Sequence, residues 1–478
     1  MRSIKVGRFL AVSGLVAALA AAAFGSAASR GAALRGQLAA PSKAPVSGGS
    51  LFAGSAAAAG SNVNITNKAG AQSETTVAVD PLDANHLISS SNDLTDTMHV
   101  YESLDGGATW QDANLDLLPA FCYDPWVDFG LTPDTVNPGQ YLSYPIVSYE
   151  CSDERIAWRK PGTTTWKTLK FSVALAGTAP DRDMVVADNN PASPFFGSVY
   201  VGFDDNGNAN TAYVLSTRNL IPAAGNPIWK RSPKINDVST TIGVNVAVRP
   251  DGTITASWLD YSNQIIYSDR STDGGLTWGA DHVITTLRIP TQPFFINMPP
   301  QPTRGVLAFP FTVAAPAGAQ FAGRVYASYF DIPETGSTSG LVTNIYVRHS
   351  DDGGVTWSAP KRLSDNGVPA PTWNFFPAIS VAPDGAVGVS FYDTRDDATG
   401  LTTNRYFSLS TDGGDTWSPN FRISSAPSAE YNPLSADANQ YGDYEGMDAG
   451  PTGSFYSVWA DSRSGSQAED MFGAPINR

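Results

Sequence analysis

Four stretches of the chain read almost identically: Ser103-Leu-Asp-Gly-Gly-Ala-Thr-Trp110, Ser271-Thr-Asp-Gly-Gly-Leu-Thr-Trp278, Ser350-Asp-Asp-Gly-Gly-Val-Thr-Trp357 and Ser410-Thr-Asp-Gly-Gly-Asp-Thr-Trp417. Asp-Gly-Gly is turn chemistry. The glycines reach positive φ without a Cβ clash, and the Asp carboxylate accepts nearby backbone N–H groups. Thr-Trp then suits the returning strand, with the indole covering the hairpin. A residue repeated identically around a fold serves the fold, so Asp105, Asp273, Asp352 and Asp412 are read as turn formers and not as catalysts.

A second unit alternates with the first: an apolar strand, a turn, another apolar strand and a closing acid. Its cleanest copy runs from Ile379 to Asp393, and similar units end at Asp93, Glu150, Asp204, Asp260, Asp331 and Asp461. Hairpins closed by Trp110, Trp166, Trp229, Trp278, Trp357 and Trp417 lie between them, at spacings of 56, 63, 49, 79 and 60 residues. Such lengths fit a four-stranded blade with its loops. After Asp461 one more strand fits, near Met471 to Ile476, and Val63-Asn-Ile-Thr66 supplies the missing outer strand. The pattern predicts an all-β propeller of seven four-stranded blades, six or eight being the alternative counts because the repeats between 120 and 240 are worn. An N-terminal strand closes the last blade and removes two exposed edges.

Labelling the strands of a blade a to d from the axis outward, the octapeptides are c–d turns on one face. The acids ending strand b ring the opposite mouth. Repetition favours a capping role for each acid, so departures from the repeat carry more information. Glu150 replaces Asp. Asp204-Asp205-Asn206-Gly207-Asn208 is like a calcium loop but lacks its full spacing and distal Glu. Arg395 and Arg463 follow two of the acids, and Arg182 stands between Asp181 and Asp183. Tyr441-Gly-Asp443-Tyr444-Glu445 opens the last blade. Trp126 and Trp373 sit near d–a connections, where either sugar stacking or core packing explains an indole.

The N-terminus reads as an export signal. Arg2, Lys5 and Arg8 precede an apolar run from Phe9 to Ala23, and Ser26-Ala27-Ala28 offers a cleavage site. The expected division is a signal over residues 1–28, an Ala/Gly/Ser-rich linker over 29–60 and the propeller over 61–478. No later stretch is long enough to span a membrane. Without residues 1–60 the chain holds 24 basic residues against all 45 acidic ones, a formal charge of −21. Such a surface repels nucleic acid and anionic membranes. Cys122 and Cys151 are the two cysteines. A disulfide between them is expected in an oxidising compartment, two unpaired thiols being the alternative. No Walker loop, dinucleotide fingerprint or Cys/His zinc cluster is present. No cofactor is expected, calcium alone being compatible with the acids, and the secreted chain is expected to be a monomer.

The octapeptides resemble the Asp box, or BNR repeat, and residues 62–478 resemble the sialidase-like superfamily of Asp-box propellers. That resemblance implies a Tyr nucleophile assisted by Glu, an Asp acid/base, and three arginines gripping a substrate carboxylate. The matching residue types are Tyr444 with Glu445 as the nucleophile pair, Asp443, Asp183 or Asp124 for acid/base and substrate contacts, and Arg182, Arg395 and Arg463 as the cluster. The sequence departs from the family in three respects. The Arg motif, Leu287-Arg288-Ile289-Pro290, follows the second box and does not precede the first. The blade count is seven where the family has six. Tyr and Glu are adjacent where the family draws them from separate strands. Three readings stay open: an exo-glycosidase acting on extracellular carbohydrate or glycoprotein, another polysaccharide hydrolase or lyase using two carboxylates, and a non-catalytic propeller binding glycan or protein.

Overall fold

Short apolar runs punctuated by Gly, Pro, Asn and Asp favour strands over helices, and the chain folds into a ring of antiparallel sheets. The computed structural model describes residues 57–478, apart from residue 69 and segments 117–120, 238–239, 291–294, 334–341, 367–371, 430–440 and 464–468. The predicted signal and most of the linker lie outside the described residues. Among those described, the one α-helix is a single turn, Val173–Ala176.

Six sheets have four strands each, and a seventh reaches the same depth from three C-terminal strands and two short N-terminal ones. Their inner strands are Gln72–Val79, Tyr123–Pro133, Pro180–Ala187, Ile242–Val248, Phe311–Ala314, Asn374–Val381 and Met447–Ala449. Each adjoins the next, and Met447–Ala449 returns to Gln72–Val79, so the cycle closes. This is the predicted propeller. Closure also follows the predicted route. Asp470–Asn477 pairs with Phe455–Asp461 on one side and with Val63–Asn64 and Ala58–Ala59 on the other. The ladder thus starts at Ala58, three residues before position 61.

The octapeptides are c–d hairpins, and their chemistry is the same each time. In the first, Asp105 accepts from the Thr109 N–H at 2.8 Å and the Thr109 hydroxyl at 2.6 Å, while Ser103 Oγ accepts from Gly107 N at 2.9 Å. Trp110 Nε1 donates to Gly107 O at 3.1 Å. The other three copies repeat the Asp–Thr and Trp–Gly bonds. The 79-residue Trp spacing also has a cause: a hairpin, Ile296–Met298 with Gln301–Val306, is inserted between the fourth and fifth blades.

Where strand a begins, five of the seven inner strands carry a β-bulge. Each bulge holds one residue at positive φ: Glu74, Asp124, Arg182, Gly243 and Phe376. An extra residue bends the strand and re-aims its side chain. Left-handed backbone at a charged, Cβ-bearing residue costs about 1–2 kcal/mol, and such outliers concentrate at functional sites. The three charged ones fall in the first three blades.

Candidate active site at the propeller mouth

The mouth forms where each strand a begins and each strand b ends. All seven predicted acid positions lie there, at the close of the second strands, with Asp205 following Asp204 as the last residue of its strand. Five are spent locally. Asp93 holds the Thr95 N–H and hydroxyl, Asp260 the Ser262 and Asn263 N–H groups, and Asp331 those of Arg288 and Ile289. Asp393 and Asp461 bind the arginines that follow them. Glu150 and Asp204 differ, because each keeps a buried carboxylate oxygen without a hydrogen-bond partner. The chemistry is therefore off-centre, over the first three blades.

Arg304, from the inserted hairpin, reaches across the ring to this side. Its guanidinium clamps Asp443 in two-point fashion, with Nη2 2.7 Å from Asp443 Oδ2, and lies 3.8 Å from Glu74. Asn92 ties the first two blades together. Its amide donates to Glu74 at 2.5 Å, and its oxygen accepts from the Asp124 N–H at 2.8 Å. Burial, reinforced by the Asp124 and Asp443 carboxylates and opposed by Arg304, holds the Glu74 carboxyl well above the usual range. Asp181, pushed up to about 7 by burial and Asp124, accepts from Asn206 at 2.5 Å. Asp124, Glu150 and Asp181 bring carboxylate oxygens within 4.8 Å of one another.

An aromatic wall completes the site. Tyr444 is buried, its ring 5.5 Å from that of Trp126 and 4.8 Å from the Arg182 guanidinium. Arg182 also stacks on Phe309 at 4.0 Å, and its Nε and Nη2 have no hydrogen-bond partner. Trp126, half-buried, is the indole that reaches the mouth, whereas Trp373 is buried in the core.

Of the expected site residues, Asp443, Tyr444, Arg182 and Asp124 lie together at the mouth, and Asp183 is buried behind them. Three predicted residues do not join them. Arg395 is held by Asp393, Asp365, Asn366 and Asn420 and lies over Tyr406. Arg463 is held by Asp461, Asn62 and Ser425 and lies over Phe472. Neither shares a partner with Arg182, so the three-arginine cluster does not form. Each arginine stays with the acid two residues before it, at short range. Glu445 points away from Tyr444, as neighbours in an extended chain do. It accepts from Thr75, Tyr392 and the Ala460 N–H. The nucleophile pair is therefore absent too. In the calcium-like loop Asp205 is spent on backbone N–H groups, those of Gly207 within the loop and of Thr178 and Ala179 outside it. Arg288 likewise pairs with Asp331 at 3.2 Å.

The sequence reading missed Glu74, Glu154 and Arg304. Only one of these left a signal, since the long Trp spacing marked the insertion that carries Arg304. Glu74 was hidden in a strand, because a bulge is invisible in an apolar/polar pattern. Elsewhere, a cleft on the outer strands of the fifth and sixth blades is lined by Lys361, Arg362, Asp365, Trp417 and Pro419. It holds one carboxylate, and Asp365 is already bound to Arg395.

The architecture and site define a β-propeller with a carboxylate-rich, off-centre mouth. No family model and no curated sequence matches the chain. Solved structures of similar shape include an α-L-arabinofuranosidase from Fusarium graminearum, at 10% identity over 88% of this chain and 98% of that one, with a TM-score of 0.43. YCF48 bound to D1 peptide aligns at 13% identity over 87% and 97%, with a TM-score of 0.44. A Hadza microbial sialidase aligns at 17% identity over 67% and 63%, with a TM-score of 0.41.

Proposed function

We propose that the protein is a secreted enzyme of extracellular glycans, a glycoside hydrolase working by paired carboxylates and not by sialidase chemistry. The observation that supports this reading is the bulge pair, Glu74 and Asp124, turned into the mouth from adjacent blades and joined through Asn92. A raised carboxyl beside a second carboxylate supplies a proton donor and a base, the two groups that glycosidic cleavage uses. Glu74 serves as the proton donor to the leaving oxygen. Asp124 faces the sugar as nucleophile or as base to water. Arg304 and Asp443 orient Glu74, and Trp126 offers its face to a pyranose or furanose ring.

Electrostatics argues against a sialic acid substrate. Asp443 already occupies Arg304, and no cluster of arginines forms, so the mouth lacks a clamp for an anionic sugar and favours a neutral one with a cationic transition state.

The test is sugar release by the purified mature domain from neutral and sialylated glycans. Neutral-sugar release is expected, reduced roughly 10²–10⁴-fold in kcat by Glu74→Gln, while Glu445→Gln keeps its kcat within a few-fold. Release of sialic acid would overturn the electrostatic argument. No release from any glycan by folded protein, with binding retained, would make this a binding propeller.

A further inference from the structure

Behind the mouth lies a second group of acids that the proposed reaction does not use. Glu150 ends strand b of the second blade and stands directly opposite Glu154, the first residue of strand c. Asp183 faces them from the third blade. One oxygen from each of the three lies within 4.8 Å of the others. All three residues are at most 1% exposed. Ser148, two residues before Glu150, is fully buried beside them.

The arrangement is costly as it stands. Like charges directly opposite across a ladder repel, and burial of unpaired carboxylates costs several kcal/mol each. Yet both oxygens of Glu154 and one of Glu150 have no hydrogen-bond partner, and the Asp183 carboxylate has within reach only the Ser148 hydroxyl and its own backbone. Buried polar atoms are almost always satisfied, so these buried oxygens call for a shared partner. All are oxygens, and none is nitrogen or sulfur. Calcium takes 6–8 oxygen ligands at about 2.3–2.6 Å, so opposed ligands stand roughly 5 Å apart, which accommodates the 4.8 Å spread. Magnesium would demand a tighter octahedron and retain waters that this buried pocket has little surface to admit.

We propose that Glu150, Glu154 and Asp183, with Ser148, form a calcium site that joins the second and third blades beneath the mouth. The site is separate from the calcium-like loop at Asp204–Asn208. It lies next to the Cys122–Cys151 disulfide, which fixes the turn between Glu150 and Glu154. Its role is structural: it holds the bulges of Asp124 and Arg182 in place.

The experiment uses the mature domain stripped with chelator, then titrated with calcium by calorimetry and followed by thermal unfolding. Terbium luminescence sensitised by Trp126, which pairs across the ladder with Ser148, reports the location. One equivalent of calcium is expected, with a rise in unfolding temperature that magnesium does not reproduce. Glu154→Gln is expected to weaken calcium binding at least 10-fold. In the stripped protein the same change removes no ligand, so it is expected to leave the unfolding temperature unchanged while abolishing the rise that calcium gives the wild type. That contrast separates a lost ligand from a damaged fold, which would lower stability with or without calcium. Failure of the stripped wild-type domain to bind or respond to calcium would overturn the proposal and leave the three carboxyls protonated. Calcium binding unchanged in both Glu154→Gln and Asp183→Asn would overturn it equally, by placing the ion elsewhere.

Discussion

His86 shows how one side chain can tie stability to pH in this fold. It bridges Asp80 at 3.0 Å and Glu102 at 2.9 Å, packs edge-on to Phe129, and shares Glu102 with Arg159. Burial alone would lower its pKa, but the two carboxylate bonds outweigh burial and push it up to about 9. The folded value lies above the unfolded one, near 6.5. The contribution is therefore complete below pH 6.5 and is lost as pH rises through 9. Thermal unfolding should show a stability loss on the order of 2 kcal/mol between pH 7 and 10, and His86→Gln should abolish that slope. Residue-scale logic also separates Glu74 from Glu445. Both are buried carboxyls, yet Glu445 is satisfied by Thr75, Tyr392 and Ala460, whereas Glu74 sits on left-handed backbone facing other acids.

At the scale of the element, the repeated hairpins tolerate little change where they meet the next blade. Gly107 adopts φ +85°, and a Cβ there would stand 2.1 Å from Tyr456, whose hydroxyl donates to Gly107 O at 3.0 Å. Gly139 has a nearly equal φ of +86° and nothing within 4 Å. Gly139→Ala is expected to cost about 1 kcal/mol from backbone strain alone. Gly107→Ala should cost roughly 3 kcal/mol or more, since overpacking adds to strain. Denaturant unfolding of the two variants checks the difference, and equal costs would remove the packing argument. The hairpins were legible in the sequence because turn chemistry is local: Asp, Gly and Thr act within five residues. The bulges were not legible, because an extra residue in a strand is defined by the register of its partner strand.

At the scale of the whole molecule, the ring depends on its two ends. The last strand, Asp470–Asn477, has its outer edge covered by residues from Ala58 to Asn64, and Thr66 and Asn64 bind Asp470. A chain beginning after Thr66 would expose that edge. It should unfold at markedly lower temperature and self-associate, as light scattering would detect; an unchanged monomer would show that the closing strand is dispensable. The sequence by itself determined the all-β class, the repeat, the closing strand, the positions of the seven acids and the Cys122–Cys151 pair, which does form a disulfide. Each of these rests on local turn chemistry, on a period, or on there being two cysteines to pair. Only the tertiary structure decided which acids are free. Asp393 and Asp461 are neutralised by their own neighbours Arg395 and Arg463, while Glu74, Asp124 and Asp443 meet around Arg304 from distant parts of the chain. Sequence spacing carries no information about that meeting. Closing a ring of blades brings residues hundreds of positions apart to one mouth, and whether a carboxylate there is satisfied or orphaned depends on every strand that faces it.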